Sequence, residues 1–208
     1  GLEPIDDPLI ATEREFNFSD ANDAITLTPL GPGFSMISTA GTSESITFDH
    51  PLLKLTIRGQ GGDDSIHLDN IGSGHGGELI LDGGADSDTI QFTGSAVSGP
   101  SGIAATAETI NISSGSIAAT MGLILDGNVR LLSATTLTSA QSTFHGTVDG
   151  SGGAFSLTVA GRAIFNNVVG AFSGITTLTV TDATTINQSS PGLITINTTG
   201  DQDYQGSF

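Results

Sequence analysis

The chain has no cysteine, no tryptophan and one tyrosine, and only five Lys or Arg residues stand against 22 Asp or Glu. Each shortage excludes a class. Without cysteine there are no disulfides, thiolate nucleophiles or zinc-thiolate sites. A net charge of −17 at pH 7 repels phosphate backbones and anionic bilayers, which argues against nucleic-acid binding and against basic-patch attachment to membranes. No stretch reaches the roughly 18 to 20 apolar residues of a membrane span, and the first residues carry neither the basic nor the apolar region of a signal peptide. Hydrophobic residues are 37% and aromatics 5% of the 208 positions. That is too little for a thick, round core, so a thin one is expected, in one domain or in one large and one small.

What the chain has instead is Gly, Ser, Thr and short apolar-x-apolar runs. From Phe16 onward these read FNF, ITL, SITF, LTI, SIHL, LIL, TIQF, TINI, LTL, FSLTV and TLTVT, each interrupted by Gly, Asp, Asn or Ser. Alternation with β-branched residues predicts strands. The one segment worth testing for helix, Ser98 to Ala107, holds Pro100 and Gly102 and lacks a 3.6-residue apolar stripe, so it reads as loop. The runs also recur at a longer interval. Ile57, Gly59 and Ile66 are matched by Leu81, Gly83 and Ile90, each at an offset of 24; Phe144, Phe165 and Ile186 follow at 21, and Leu137, Leu157 and Leu178 at 20 and 21. A period in the low twenties predicts an all-β fold, a parallel β-helix (β-solenoid) with one coil per period. The expected organisation is a small N-terminal β cap over residues 1–50 and the solenoid over 51–208. The alternative fold is an antiparallel β-sandwich, which also spaces strands evenly.

Two clusters carry chemistry: GQGGDDSIHLD from Gly59 to Asp69 and DGGADSDTIQF from Asp82 to Phe92. Both approximate a calcium-binding nonapeptide, in which glycines make a tight turn, an Asp offers oxygens to a hard cation and the next apolar residue enters the core. Gln60 and Asp86 stand where that pattern has glycine. Stacked coils would crowd Asp63, Asp64, Asp86 and Asp88 together, and a calcium ion at these four carboxylates would relieve their repulsion. Solvated turns, in which Gly and Asp are simply favoured, are the competing reading.

Other candidates are weaker. His67, Asp69 and His75 could compose a metal or acid-base site. Asp63 with Asp86, or Asp64 with Asp88, could sit at the short carboxylate separation of a retaining glycosidase. Against an enzyme, there is no tryptophan to stack on sugar rings, and no nucleophile elbow, P-loop or H-E-x-x-H occurs. Thr-rich strands such as TTLTS and TLTVT predict outward Thr ladders.

The text TTLTSAQSTFHGTVDGSGGAFSLTV, together with ITINTTGDQDYQGSF, resembles the repeats of giant bacterial surface proteins of the filamentous-haemagglutinin-like, β-strand-repeat type. FNFSDANDAITLT and LTIRGQGGDDSIHLD are similar to segments of related proteins of aquatic bacteria, and LEP at Leu2 to Pro4 is similar to the start of an LEPR sorting motif. The resemblance implies export to the cell surface or extracellular space, a right-handed parallel β-helix, and a structural or adhesive role without catalysis. The resulting expectation is a non-enzymatic surface or matrix protein that stacks head to tail as a homopolymer through its solenoid ends, contacts cell-surface or matrix polysaccharide, and carries calcium at its acidic turns. A carbohydrate-active β-helix enzyme and a calcium-dependent binding module of a larger adhesin are the alternatives.

Overall fold

A computed structural model describes residues 5–40, 45–71, 74–94, 96–153, 155–187 and 195–207. The residues Leu2 to Pro4 compared with a sorting motif lie outside that set. Among the described residues eighteen strands and no helix account for the regular structure. In chain order they are β1 (Ile5–Asp7), β2 (Glu13–Asn17), β3 (Ala24–Gly31), β4 (Phe34–Thr39), β5 (Ile46–Asp49), β6 (Lys54–Arg58), β7 (Ser65–Leu68), β8 (Glu78–Asp82) and β9 (Thr89–Phe92). There follow β10 (Gly102–Ile112), β11 (Ser116–Ala118), β12 (Gly122–Leu131), β13 (Thr135–Phe144), β14 (Val148–Gly150), β15 (Phe155–Phe165), β16 (Ile175–Val180), β17 (Thr184–Ile186) and β18 (Gln202–Tyr204).

These strands wind into a parallel β-solenoid of about seven turns, and together the turns build three faces. The first face stacks β2, β6, β8, the start of β10, the start of β12, the end of β13, the end of β15, and β17. The second stacks β3, β7, β9, the end of β10, the end of β12, and β14. The third stacks β11, the start of β13, the start of β15, β16 and β18. Among the described residues antiparallel pairing is confined to β3–β4 and β4–β5. The hairpin β4–β5 thus covers the free edge of β3, where an unpaired row of backbone donors and acceptors would otherwise lie open.

Side chains that alternate inward meet their counterparts one turn away. On the second face Ile25, Ile66, Ile90, Ile110, Val129, Val148, Val169 and Ile196 form one column of β-branched residues. On the first, Ile57, Leu81, Ala105, Leu125, Phe144, Phe165 and Ile186 form another. On the third, Ile117, Leu137, Val159, Val180 and Tyr204 line up. Most of these are fully buried, and each such side chain contributes about 1.5–3 kcal/mol by leaving water. The rings of Phe144 and Phe165 stack with centroids 4.9 Å apart and 12° between planes. A core one side chain deep on each face is what a low apolar content permits.

Two readings of the sequence need correction. The segment read as loop from Ser98 to Ala107 enters β10 at Gly102. There Ile103, Ala105 and Ala107 point inward, and small side chains fit because Ala105 sits between Leu81 and Leu125 in its column. The leucine series also slips. Leu157 lies beside Thr135, while Leu137 lies beside Val159; only Leu157 and Leu178 are true neighbours.

Candidate functional site

The acidic clusters form corners between the first and second faces. The corner 59–64 joins β6 to β7 and the corner 83–88 joins β8 to β9; the corner 18–23 joins β2 to β3 beneath them. Because β7 and β9 are in register at an offset of 24, Asp64 lies against Asp88 and Asp63 against Ser87. The carboxylates do not gather around a common point. Each takes a backbone N–H of an adjacent turn. Asp64 Oδ1 accepts from Asp23 N at 2.7 Å, Asp88 Oδ1 from Asp64 N at 2.9 Å, and Glu108 Oε2 from Asp88 N at 2.7 Å. On the outer side Asp63 Oδ1 accepts from Ser87 N at 3.1 Å, Asp86 Oδ2 from Gly62 N at 3.2 Å, and Asn22 Oδ1 from Asp63 N at 3.0 Å. The result is a carboxylate ladder that satisfies corner amides the strands leave unpaired.

Asp64 and Asp88 are the inner rails. Both are 2% exposed, and the Oδ2 of each is buried with no hydrogen-bond partner. Burial pushes both acids above the ordinary carboxylate range, more than the amide donors lower them. Glycine makes room for the carboxyls. A Cβ on Gly59 would come 2.1 Å from Asp64 Oδ2 and 2.2 Å from the Gly83 carbonyl oxygen, and one on Gly83 would meet Asp88 at 2.4 Å. Gln60 and Asp86, which stand where the nonapeptide pattern has glycine, are the two non-glycine residues with positive φ among those described, at 86° and 84°. The backbone therefore keeps the shape the pattern asks for, at the strain an L-residue carries there.

Among the described residues no group of three or more His, Asp or Glu side chains is placed to hold a metal. The ladder includes two acceptors that the sequence reading missed, Glu108 and Asn22, and Asp23 joins it through its backbone N–H. Glu108 was detectable as the next acid along the chain after Asp88. Asp23 was hidden because its offset to Asp64, 41, lies far from the common period.

The histidines disperse. His67 faces outward and shares a 2.7 Å hydrogen bond with Thr93. His75 instead meets His50, ring centroids 5.3 Å apart and nearly perpendicular, so His67, Asp69 and His75 do not form one site. His50 Nε2 bonds the Ser35 hydroxyl at 2.8 Å and His75 Nε2 lies 3.3 Å from the Glu78 carbonyl, while both Nδ1 atoms are buried and unpartnered. Burial, assisted by the neighbouring His75, lowers His50 to about 4, although Asp49 opposes it; burial likewise lowers His75. The expected outward threonines form one short row on the third face, Thr136, Thr158 and Thr179.

Two surface grooves interrupt the faces away from the ladder. One of about 380 Å3 opens where Gly102 and Gly122 stack between Glu78 and Met121. Another of about 340 Å3 lies at Arg130 and Phe172. Among the described residues no helix is long and apolar enough to cross a membrane. No family model matches this chain, and neither a curated protein nor a solved structure does.

Proposed function

We propose that this chain is a non-catalytic structural and adhesive module of a bacterial surface or extracellular matrix protein, of the filamentous-haemagglutinin-like kind, built to extend by stacking. One observation carries the reading: inward-facing columns stack from turn to turn in parallel register, with only local shifts in β10, β13 and β15. Among the described residues β18 pairs only with β16, whereas the Thr184 N–H of β17 already donates to the Ser207 carbonyl of the following turn at 2.9 Å. A further turn, from a second copy or from more of the same polypeptide, would add to the edge of β18 the hydrogen bonds every inner turn already makes. The carboxylates that an enzyme would need are engaged with backbone amides.

Electron microscopy of the concentrated protein tests this. Unbranched fibres one solenoid wide are expected from the unaltered chain, and Gln202→Pro, at a β18 position whose N–H faces away from β16, is expected to leave dispersed particles with an unchanged strand spectrum. Dispersed particles from the unaltered chain at millimolar concentration would overturn head-to-tail assembly.

Calcium at the acidic corners is a separable part of the reading. Its support is the buried, unpartnered Oδ2 of Asp64 and Asp88. A rise of several degrees in melting temperature on adding calcium, reversed by chelator and absent in the Asp64→Asn, Asp88→Asn double variant, is expected; no shift removes calcium and leaves the ladder.

A further inference from the structure

Phe172 is 89% exposed, and no packing demand accounts for that. It stands over the groove lined by Asn128, Arg130, Thr147, Asp149 and Ser151. Its position is held: the Phe172 backbone N–H donates to Asp149 Oδ1 at 2.9 Å, and Asp149 is itself only 6% exposed. Of the polar groups at the floor, Asp149 and Asn128 each hold a hydrogen-bond partner and Arg130 holds no ion pair among the described residues. Arg14, Lys54 and Arg58 pair with carboxylates, but Arg130 forms no ion pair among the described residues, although Asp149 lies beside it in register. Asn128 Oδ1 accepts from both the Thr147 backbone N–H at 3.3 Å and the Thr147 hydroxyl at 3.2 Å. That fixes the amide plane and leaves its NH2 group to donate.

We infer that this groove binds a pyranose unit of a neutral polysaccharide, with the C–H face of the ring on Phe172 and adjacent hydroxyls shared among Arg130, Asp149 and the Asn128 amide. The chemistry matches on each side. An aromatic face takes the apolar face of a sugar. A planar guanidinium and a carboxylate side by side offer the donors and acceptors that vicinal hydroxyls require. A neutral sugar is selected because the whole chain, at −17, repels a polyanion. The groove, of about 340 Å3, accommodates one or two ring units and leaves the glycan free to continue at both ends.

The inference rests on the adhesive part of the proposed function, and its test is independent of assembly, since fibres can form without sugar binding and sugar can bind to the dispersed Gln202→Pro variant. Calorimetric titration of that variant with hexasaccharides of β-glucan, mannan and xylan, and with an alginate hexasaccharide for contrast, is expected to show binding of a neutral glycan. Phe172→Ala and Arg130→Gln are each expected to weaken it at least tenfold without lowering the melting temperature, and Phe172→Tyr to preserve it. Failure of every neutral hexasaccharide to bind, preference for alginate, or affinity unmoved by Phe172→Ala and Arg130→Gln would overturn the inference.

Discussion

The turns before Phe92 and those after Gly102 share one backbone register and differ in their corners. In the first region six residues separate β6 from β7 and β8 from β9, and acids fill the bend. In the second, the same bend shrinks to Ala107–Glu108 and then to Gly127 alone, as the pairings of β10 with β9 and β12 show. Only six acidic residues follow Phe92: Glu108, Asp126, Asp149, Asp182, Asp201 and Asp203. Column packing therefore carries the fold throughout, while corner chemistry is a local solution. A wide bend exposes backbone amides and needs carboxylates to accept them; a one-residue bend exposes almost none. The contrast explains why the spacing between stacked partners falls from 24 at Asp64 and Asp88 to 20 at Asp88 and Glu108 without any loss of stacking.

The sharpest way to break this comparison is to remove what is common to both regions. Phe165→Ala takes one ring from the Phe144 stack and is expected to cost about 4 kcal/mol, the range for large-to-small core changes, read as a lowered urea midpoint. Next come changes confined to the acidic corners. Gly59→Ala drives a methyl into Asp64 and the Gly83 carbonyl and is expected to cost about 3 kcal/mol as an overpacked site. At Gly76, where an added Cβ meets nothing within 4 Å, the same substitution should be near neutral. Asp88→Ala strands the Asp64 amide at a cost of about 2 kcal/mol, whereas Asp88→Asn keeps the acceptor, removes a buried charge and should be neutral or stabilising at pH 7. Smallest is Gln60→Gly, which relieves positive φ at an exposed residue and should gain about 1 kcal/mol.

Acid titration sharpens the same contrast, because the two buried groups respond in opposite directions. His50, at about 4 against an ordinary 6.5, favours folding when neutral. Its contribution is intact above pH 6.5 and is lost as the pH falls toward 4. Asp64 and Asp88 are raised, so their burial costs stability at neutral pH, and that cost is relieved as the pH falls through their raised values toward 3.8. In the Asp64→Asn, Asp88→Asn double variant only the histidine loss remains. Urea midpoints between pH 7 and 4 should then fall more steeply than in the unaltered protein; equal slopes would show that the inner acids are not buried as described.

Much of the fold was legible in the residues. The constant offset that matches Ile57 with Leu81 and Ile66 with Ile90, and the shorter step from Phe144 to Phe165, correspond to real neighbours. Legibility failed where a turn departs from constant length. The hairpin β4–β5 nearly doubles the offset between β2 and β6, so β2 and β3 did not register as part of a coil. The register shift between Thr138 and Gln141 makes the offset 22 at Leu137 and Val159 but 21 at Phe144 and Phe165, so the leucine series slipped. At the corners, sequence located the acids but not their orientation: proximity of carboxylates suggested a shared cation, whereas neighbouring amides claim one oxygen of each. Phe172 lies in no alternating run, so nothing in the residues marked its exposure.

Stacked parallel strands in this register are the premise of everything above, and a chain free of cysteine allows it to be tested without background. Adjacent residues across strands about 4.8 Å apart lie within disulfide range. The pair His67→Cys, Gln91→Cys in the acid-cornered region and the pair Thr143→Cys, Ile164→Cys in the tight-cornered region should each oxidise to an intramolecular disulfide. Partners displaced by two positions, Thr89→Cys with His67→Cys and Arg162→Cys with Thr143→Cys, should not. Crosslinking of the displaced pairs at the same rate, or of neither in-register pair, would contradict the solenoid.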